Sequence, residues 1–253
     1  MSQPESHDVD ISLILTVHSE SAVAGPTIRS AESAIDVARS KGLVVETLLG
    51  MDAPTEDCVE FCEQSRLSAW KKHRFTFCDQ GRARNALAKL ATGRWIAFLD
   101  GDDLISENWL SAASLLLREA QDGNGKIIVH PEINWGFDMD NFILAKTAQT
   151  DPLFTPYYFA VANYYDALCM APRNAFIEIP YATRDVEAGF AYEDWQWNIE
   201  TMDLGWRHVV APDTIIFKRR REGSQTLESS ERRACIRQIV PMAVDQIKNL
   251  GSD

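Results

Sequence analysis

Over roughly its first 130 residues the chain alternates short, continuous apolar runs with segments of helical period, which admits little besides a parallel sheet flanked by helices. The first run, Ile11 to Val17, is β-branched and apolar, as a strand buried on both faces requires. Helical spacing from Thr27 to Lys41 stops at Gly42, and "LVVETLLG" reads as a second buried strand ending near Asp52. The spacing next predicts a helix over Thr55 to Lys71, a short strand "RFTF", a helix over Arg82 to Ala91 halted by Gly93, and the strand "WIAFL". A helix over Glu107 to Ala120 and the strand "KIIVH" complete a Rossmann-like, nucleotide-binding half, residues 11–130.

Beyond Pro131 the pattern changes. From Pro131 to Arg184 aromatic residues, prolines and short apolar pieces intermingle, a composition suited to mixed strands and loops around a pocket. Order returns at "EDWQWNIETMDLGW", which has acids at its start and Gly205 near its end, as a short helix should. A strand "RHVVAP" follows. Residues 131–226 are thus a second, mixed half of one α/β domain spanning 11–226, preceded by a disordered tail (1–10) and followed by a helical extension (227–253) interrupted by Pro241.

Charge and composition exclude several classes. With 37 acidic and 25 basic residues the net charge is -12, which repels a polyanion and argues against nucleic acid as a partner. The densest basic run, Lys218 to Arg221, is a local patch that suits one phosphate-bearing ligand. Five cysteines lack CxxC spacing, so neither a disulfide framework nor structural zinc is expected. No apolar run approaches the ~20 residues that span a bilayer, and the start lacks a signal peptide's apolar stretch, so the expected setting is cytoplasmic.

The sharpest local feature is "WIAFLDGDDL", where a buried strand delivers Asp100, Asp102 and Asp103 at its carboxyl end, the place where open α/β sheets bind ligands. Three clustered carboxylates repel one another unless a cation intervenes. Hard divalent ions such as Mg2+ or Mn2+ take oxygen ligands and leave positions for phosphate oxygens, so a metal bridge to a diphosphate fits the cluster. The same residues would also serve as a solvated acidic turn capping the next helix.

The preceding residues extend the pattern, because "GRARNALAKLATGRWIAFLDGDD" resembles the segment leading to the DXD motif of family-2 glycosyltransferases. Arg84, Asn85, Gly93 and Asp100 to Asp103 match that family's arginine–asparagine pair, glycine and aspartate cluster, and the resemblance implies that Arg84, Asn85, Asp100 and Gly101 contact the nucleotide sugar. "ISLILTVHSE" looks like the family's first strand and nucleotide loop, placing Thr16, His18 and Glu20 near base and ribose, though the usual proline and aromatic residue are absent. Asp52 matches the aspartate that recognises the nucleobase. "GFAYEDWQWNIETMDLGWR" is similar to the ED segment, whose aspartate is the general base; this implies Asp194 as base, Glu193 as its assistant, and Trp195 and Trp197 as acceptor contacts. Such acids at a helix start also serve simply to complement the helix dipole. "FKRRREGSQT" looks like the segment that closes over the pyrophosphate, with Arg220 or Arg221 neutralising it; where some relatives place a metal-binding histidine, this chain has arginines.

The resemblance covers about residues 11–226 and implies a GT-A fold, whose second half binds the acceptor. It implies an inverting, metal-dependent transfer from a UDP-, GDP- or dTDP-linked sugar to a glycan or lipid-linked glycan, at family level in surface polysaccharide synthesis. A lipid-linked acceptor would bring the protein peripherally to the inner face of the membrane, and a longer natural protein would add other domains. Two alternatives stand beside it: a haloacid dehalogenase-like phosphatase with Asp100 as nucleophile, and a non-catalytic nucleotide-sugar-binding domain.

Overall fold

The computed structural model describes residues 8–222 and 224–250. Strand β1 (Ile11–Val17) is buried at all seven positions, its two hydroxyls satisfied by Glu46 and Asp100. Helix α1 (Ala24–Ser40) covers it with Ala24, Thr27, Ile28, Ala31, Ala34, Ile35 and Ala38, a single face at the three- and four-residue spacing of a helix. Strand β2 (Val45–Asp52) pairs parallel to one side of β1, while β4 (Trp95–Asp100) pairs parallel to the other, with Thr16 opposite Asp100. Helix α2 (Glu56–Cys62) and strand β3 (Lys71–Phe75) lie between them in sequence, and β3 extends the sheet beyond β2. The order β3-β2-β1-β4 reverses direction between β1 and β4, so their carboxyl ends open the crevice where α/β sheets receive ligands.

Helix α3 (Gln80–Leu90) is capped by Asp79, whose side chain accepts from the Arg82 amide at 2.8 Å. After β4 comes the two-residue strand β5 (Leu104–Ile105), then helix α4 (Trp109–Glu119). The second half adds β6 (Ile127–Asp138), β7 (Phe142–Ala145), β8 (Met170–Pro172), α5 (Arg173–Glu178), α6 (Glu193–Asp203), β9 (Arg207–Arg220) and α7 (Gln225–Glu231). They continue the same nine-stranded sheet in the order β4-β8-β6-β9-β5, with β7 on the edge of β6. The result is the expected α/β fold, parallel in its first half and mixed in its second.

Several expectations are corrected. The helix over Thr55 to Lys71 ends at Cys62, because the chain must bury Leu67 and Trp70 and bring Lys71 into register with Leu48. The strands "KIIVH" and "RHVVAP" run on to 12 and 14 residues. Pro131 does not stop β6, since the ladder to β9 shifts register between Pro131 and Ile133, a bulge that absorbs the missing amide. The region after Pro131 is therefore more regular than its composition suggests. The expected tail is ordered by residue 9: Asp10 donates to the Val44 carbonyl and Val9 accepts from Arg94. Residues 1–7 of that tail and 251–253 of the expected extension lie outside the described residues. The rest of the extension is helical only in α7 and two short 3-10 turns, and Ile236, Ile239, Met242, Ile247 and Leu250 pack against Phe159, Tyr165, Ile199 and Met202.

Candidate active site

At the crevice, Asp100 is the meeting point. Its Oδ1 accepts from Gln80 Nε2 at 2.6 Å, Arg84 at 2.7 Å and Thr16 Oγ1 at 3.2 Å. Burial alone would raise its pKa, but Arg84, Lys218 and these hydrogen bonds hold its carboxyl below the usual range. Gly101 follows because nothing larger fits: a Cβ there would stand 2.7 Å from Val17 Cγ1 and 3.0 Å from the Thr16 carbonyl. The turn is then locked to β9. Asp103, only 2% exposed, accepts from the Arg219 amide at 2.9 Å and pairs with Lys218 at 3.0 Å. Burial, and then the neighbouring Asp102 and Asp100, push the Asp103 carboxyl up to about 7 against the pull of Lys218.

Arg84 connects this end of the cavity to the other. Its side chain is 3% exposed, lies near the rings of Phe98 and Tyr181, and reaches Glu193 Oε1 at 3.4 Å as well as Asp100. Glu193 and Asp194 open α6, immediately after Tyr192 in a left-handed conformation (φ 62°). A non-glycine residue there is strained, and such strain collects at functional sites. The Tyr192 hydroxyl meets Ser230 Oγ, and its ring meets Trp195 edge-on. Burial first, then the adjacent Glu193, pushes the Asp194 carboxyl up to about 7, although Arg84 opposes it; burial likewise raises Glu193. A carboxyl in that range is poised to exchange protons near neutrality.

Gln80, Arg84, Asp100, Asp166, Arg184, Glu193, Asp194 and Lys218 share the lining of one open cavity of about 480 Å³. A second cluster joins Glu20, Arg221 and Asp102. Arg221 reaches Glu20 Oε1 at 2.6 Å and Asp102 Oδ2 at 2.8 Å, and the other Glu20 oxygen accepts the amides of His18 and Ser19. His18 Nδ1 lies 2.8 Å from the Asp52 carbonyl.

Not every expected residue reaches these clusters. Trp197 is 1% exposed, donates to the Ile179 carbonyl at 2.6 Å and stacks on Phe176, so it packs the core and cannot meet an acceptor. Asn85 exchanges two hydrogen bonds with the Tyr181 backbone and ties α3 to the 180s loop instead of facing a nucleotide. Arg220 stacks over Phe142, leaving Arg221 as the arginine that meets Asp102. Asp52 commits both oxygens to the amides of Phe77, Cys78 and Asp79, which shapes the loop into α3. Asp103 is held by β9, a structural assignment that removes it from the expected metal ligands. Conversely, Lys218, Asp166, Gln80 and Arg184 line the cavity without having been singled out. Lys218 lay in the visible basic run; Asp166 is an isolated acid in the stretch with least pattern, and nothing local marks it.

A divalent cation can be tested against this donor set. Among the described residues no three His, Cys, Asp or Glu side chains gather into a cage. Mg2+ is commonly held instead by one or two carboxylates together with substrate phosphates. Asp102, whose Oδ2 pairs with a partly exposed arginine, suits that mode.

Among solved structures, S. aureus TarS 1-349 in complex with UDP-GlcNAc matches with a TM-score of 0.64 at 17% identity, covering 88% of this chain and 61% of that one. The mannosyltransferase PcManGT from Pyrobaculum calidifontis, in complex with GDP-Man and Mn2+, matches at 0.57 with 14% identity, covering 87% and 62%. GalNAc-T7 with UDP, GalNAc and Mn2+ matches at 0.59 with 15% identity, covering 86% and 45%. The chain thus spans less than two thirds of each of these relatives. The likeness is one of fold and identifies it as GT-A. No curated protein sequence matches. A family model, described as glycosyl transferase family 2, matches residues 12–173, well over half the chain and including β1, Arg84 and the aspartate cluster. The chain belongs to glycosyl transferase family 2.

Proposed function

We propose that this chain is an inverting, metal-dependent glycosyltransferase that moves a sugar from a nucleotide donor to a hydroxyl of a glycan or lipid-linked glycan, in surface polysaccharide synthesis. The observation that carries the reading is the cavity itself, whose lining brings together Asp100, Glu193 and Asp194, with Arg84 bonded to both Asp100 and Glu193. Asp194 is the general base. An acceptor hydroxyl is a weak nucleophile, and removing its proton during attack typically contributes about 10²–10⁴-fold. The acceptor oxygen forms its bond to the anomeric carbon as the bond to the diphosphate breaks, the electron pair leaving with the diphosphate and the proton moving to Asp194. Direct displacement inverts that carbon.

Arg84 keeps Asp100 and Glu193 at fixed separation, and Arg221 presents positive charge beside Asp102 for the departing diphosphate. Asp102 is the residue that would hold Mn2+ or Mg2+, whose chemistry there is to neutralise charge on the phosphate oxygens. Thr16, His18 and Glu20, at and just after the carboxyl end of β1, would meet the nucleotide, Asp52 would act through the loop that it holds, and partly buried Trp195, next to Asp194, would meet the acceptor. The Mn2+ and nucleotide sugars named with the structural neighbours support both cofactor and donor class.

A thermal-shift panel of UDP, GDP, dTDP and their sugar conjugates, with and without Mn2+, tests the reading on wild type, Asp102→Ala and Asp194→Asn. One nucleotide should stabilise the wild type in a metal-dependent way, lose that effect in Asp102→Ala and keep it in Asp194→Asn, while transfer disappears in Asp194→Asn. Full transfer by Asp194→Asn would remove the base assignment, and no response to any nucleotide would remove the donor assignment.

A further inference from the structure

The cavity contains a carboxylate that none of these roles uses. Asp166 precedes β8 and lines the same space as Asp194, Asp100 and Lys218. Three donors fix it: Lys146 Nζ at 3.2 Å and the Leu168 amide at 3.0 Å on Oδ1, and Asn134 Nδ2 at 2.7 Å on Oδ2. The Lys146 side chain is fully buried, while Asp166 keeps 17% exposure. Burial alone would favour the neutral acid, but Lys146 and Lys218 hold the Asp166 carboxyl well below the usual range. It is therefore ionised and accepts hydrogen bonds only. A carboxylate offers about four acceptor sites, of which three are filled. Structural needs alone do not explain the pair, since a buried Lys–Asp pair often stabilises no more than a well-packed apolar pair of the same volume.

Displacement with inversion puts the leaving diphosphate and the attacking hydroxyl on opposite faces of the anomeric carbon. The transferred sugar ring must then occupy the space between the aspartate cluster and Asp194. Asp166 lines the same cavity as Lys218, which is bonded to Asp103, and as Asp194. We propose that Asp166 accepts a hydrogen bond from a hydroxyl of the transferred sugar and thereby selects among donors that share a nucleotide but differ in the sugar. This rests on the glycosyltransferase reading above.

Calorimetric titration tests it, using UDP, UDP-GlcNAc, UDP-glucose and UDP-galactose, and GDP with GDP-mannose, on wild type and Asp166→Asn. For the donor that wild type binds, the variant should lose roughly 10- to 100-fold in affinity while the matching nucleoside diphosphate changes by less than about twofold. Removing the recognised hydroxyl from the donor should cost wild type a similar factor and cost the variant nothing more. Equal losses for diphosphate and sugar nucleotide, or no loss for either, would overturn the assignment. Should Asp166→Asn fail to fold, the deoxy-donor series on wild type decides alone, and indifference to every hydroxyl would overturn it. Failure of the underlying reading is distinguishable, because wild type would then bind none of the six ligands and neither dTDP nor dTDP-glucose titrated beside them.

Discussion

Replacing Asp194 by asparagine should raise stability at alkaline pH while abolishing transfer, and the first effect can be measured without knowing the substrate. In the folded protein its carboxyl is pushed from 3.8 to about 7 by burial and by Glu193. Because the folded state binds this proton more tightly than the unfolded chain, stability from this group is full below about pH 4 and falls as pH rises through 7. That span of roughly three pH units, at about 1.36 kcal/mol each, sets a ceiling near ~4 kcal/mol. Screening at the cavity mouth and the coupling to Glu193 reduce it to ~1–2 kcal/mol. Asparagine resembles the neutral acid and does not incur the cost of ionisation. In a domain of this size ~1–2 kcal/mol corresponds to roughly 2–8 °C. Thermal melts of both proteins from pH 4.5 to 8.5 should show the curves converging at the acid end and Asp194→Asn melting higher at pH 8. A variant that is less stable at pH 8, or differs equally at both ends, would refute the placement of a buried, proton-seeking carboxyl at this position.

The same carboxyl predicts that kcat/KM for transfer falls about tenfold per pH unit below 7, since only the ionised base accepts the proton; a flat profile down to pH 5 in folded protein would contradict it. Glu46→Gln should destabilise by roughly 2–3 kcal/mol at pH 7, because Glu46 Oε1 collects Ser12, Thr92 and Gly93 and Oε2 pairs with Lys71. Burial opposes that network, yet Lys71 and the other hydrogen bonds lower the Glu46 carboxyl to about 2, so the difference should shrink as pH falls from about 4.5 towards 2 in denaturant titrations. Gly93→Ala should cost ~1–3 kcal/mol or more in the same assay, since its Cβ would stand 2.5 Å from the Ser12 backbone nitrogen. Trp197→Ala should lower stability by ~3–5 kcal/mol, as expected of a core residue, with loss of near-ultraviolet signal from the Phe176 stack.

What the sequence determined by itself is whatever short-range pattern controls. The run Ile11 to Val17 carries no charge and only two hydroxyls, Ser12 and Thr16, which fits a strand buried on both sides, and "WIAFLDGDD" carried its aspartates to the end of that strand's neighbour. Family membership was legible for the same reason, its motifs being local. Trp195 and Trp197 show the limit of that logic: two residues apart on α6 they point about 200° apart, so Trp197 packs into the main core and Trp195 against the smaller one.

The tertiary structure alone decided which charges meet. Arg84 meets Glu193 across 109 positions of sequence, Asp103 meets the Arg219 amide across 116, and Arg221 meets Glu20 across 201. No local period encodes such pairs, and a carboxyl's proton affinity is set by the burial and neighbours that folding supplies. Hence Asp103, indistinguishable by sequence from Asp102, is locked under β9, while Asp102 faces Arg221. Asp166, a lone acid in the stretch with least pattern, came to the cavity because β6, the residue following β7 and the turn leading into β8 converge there.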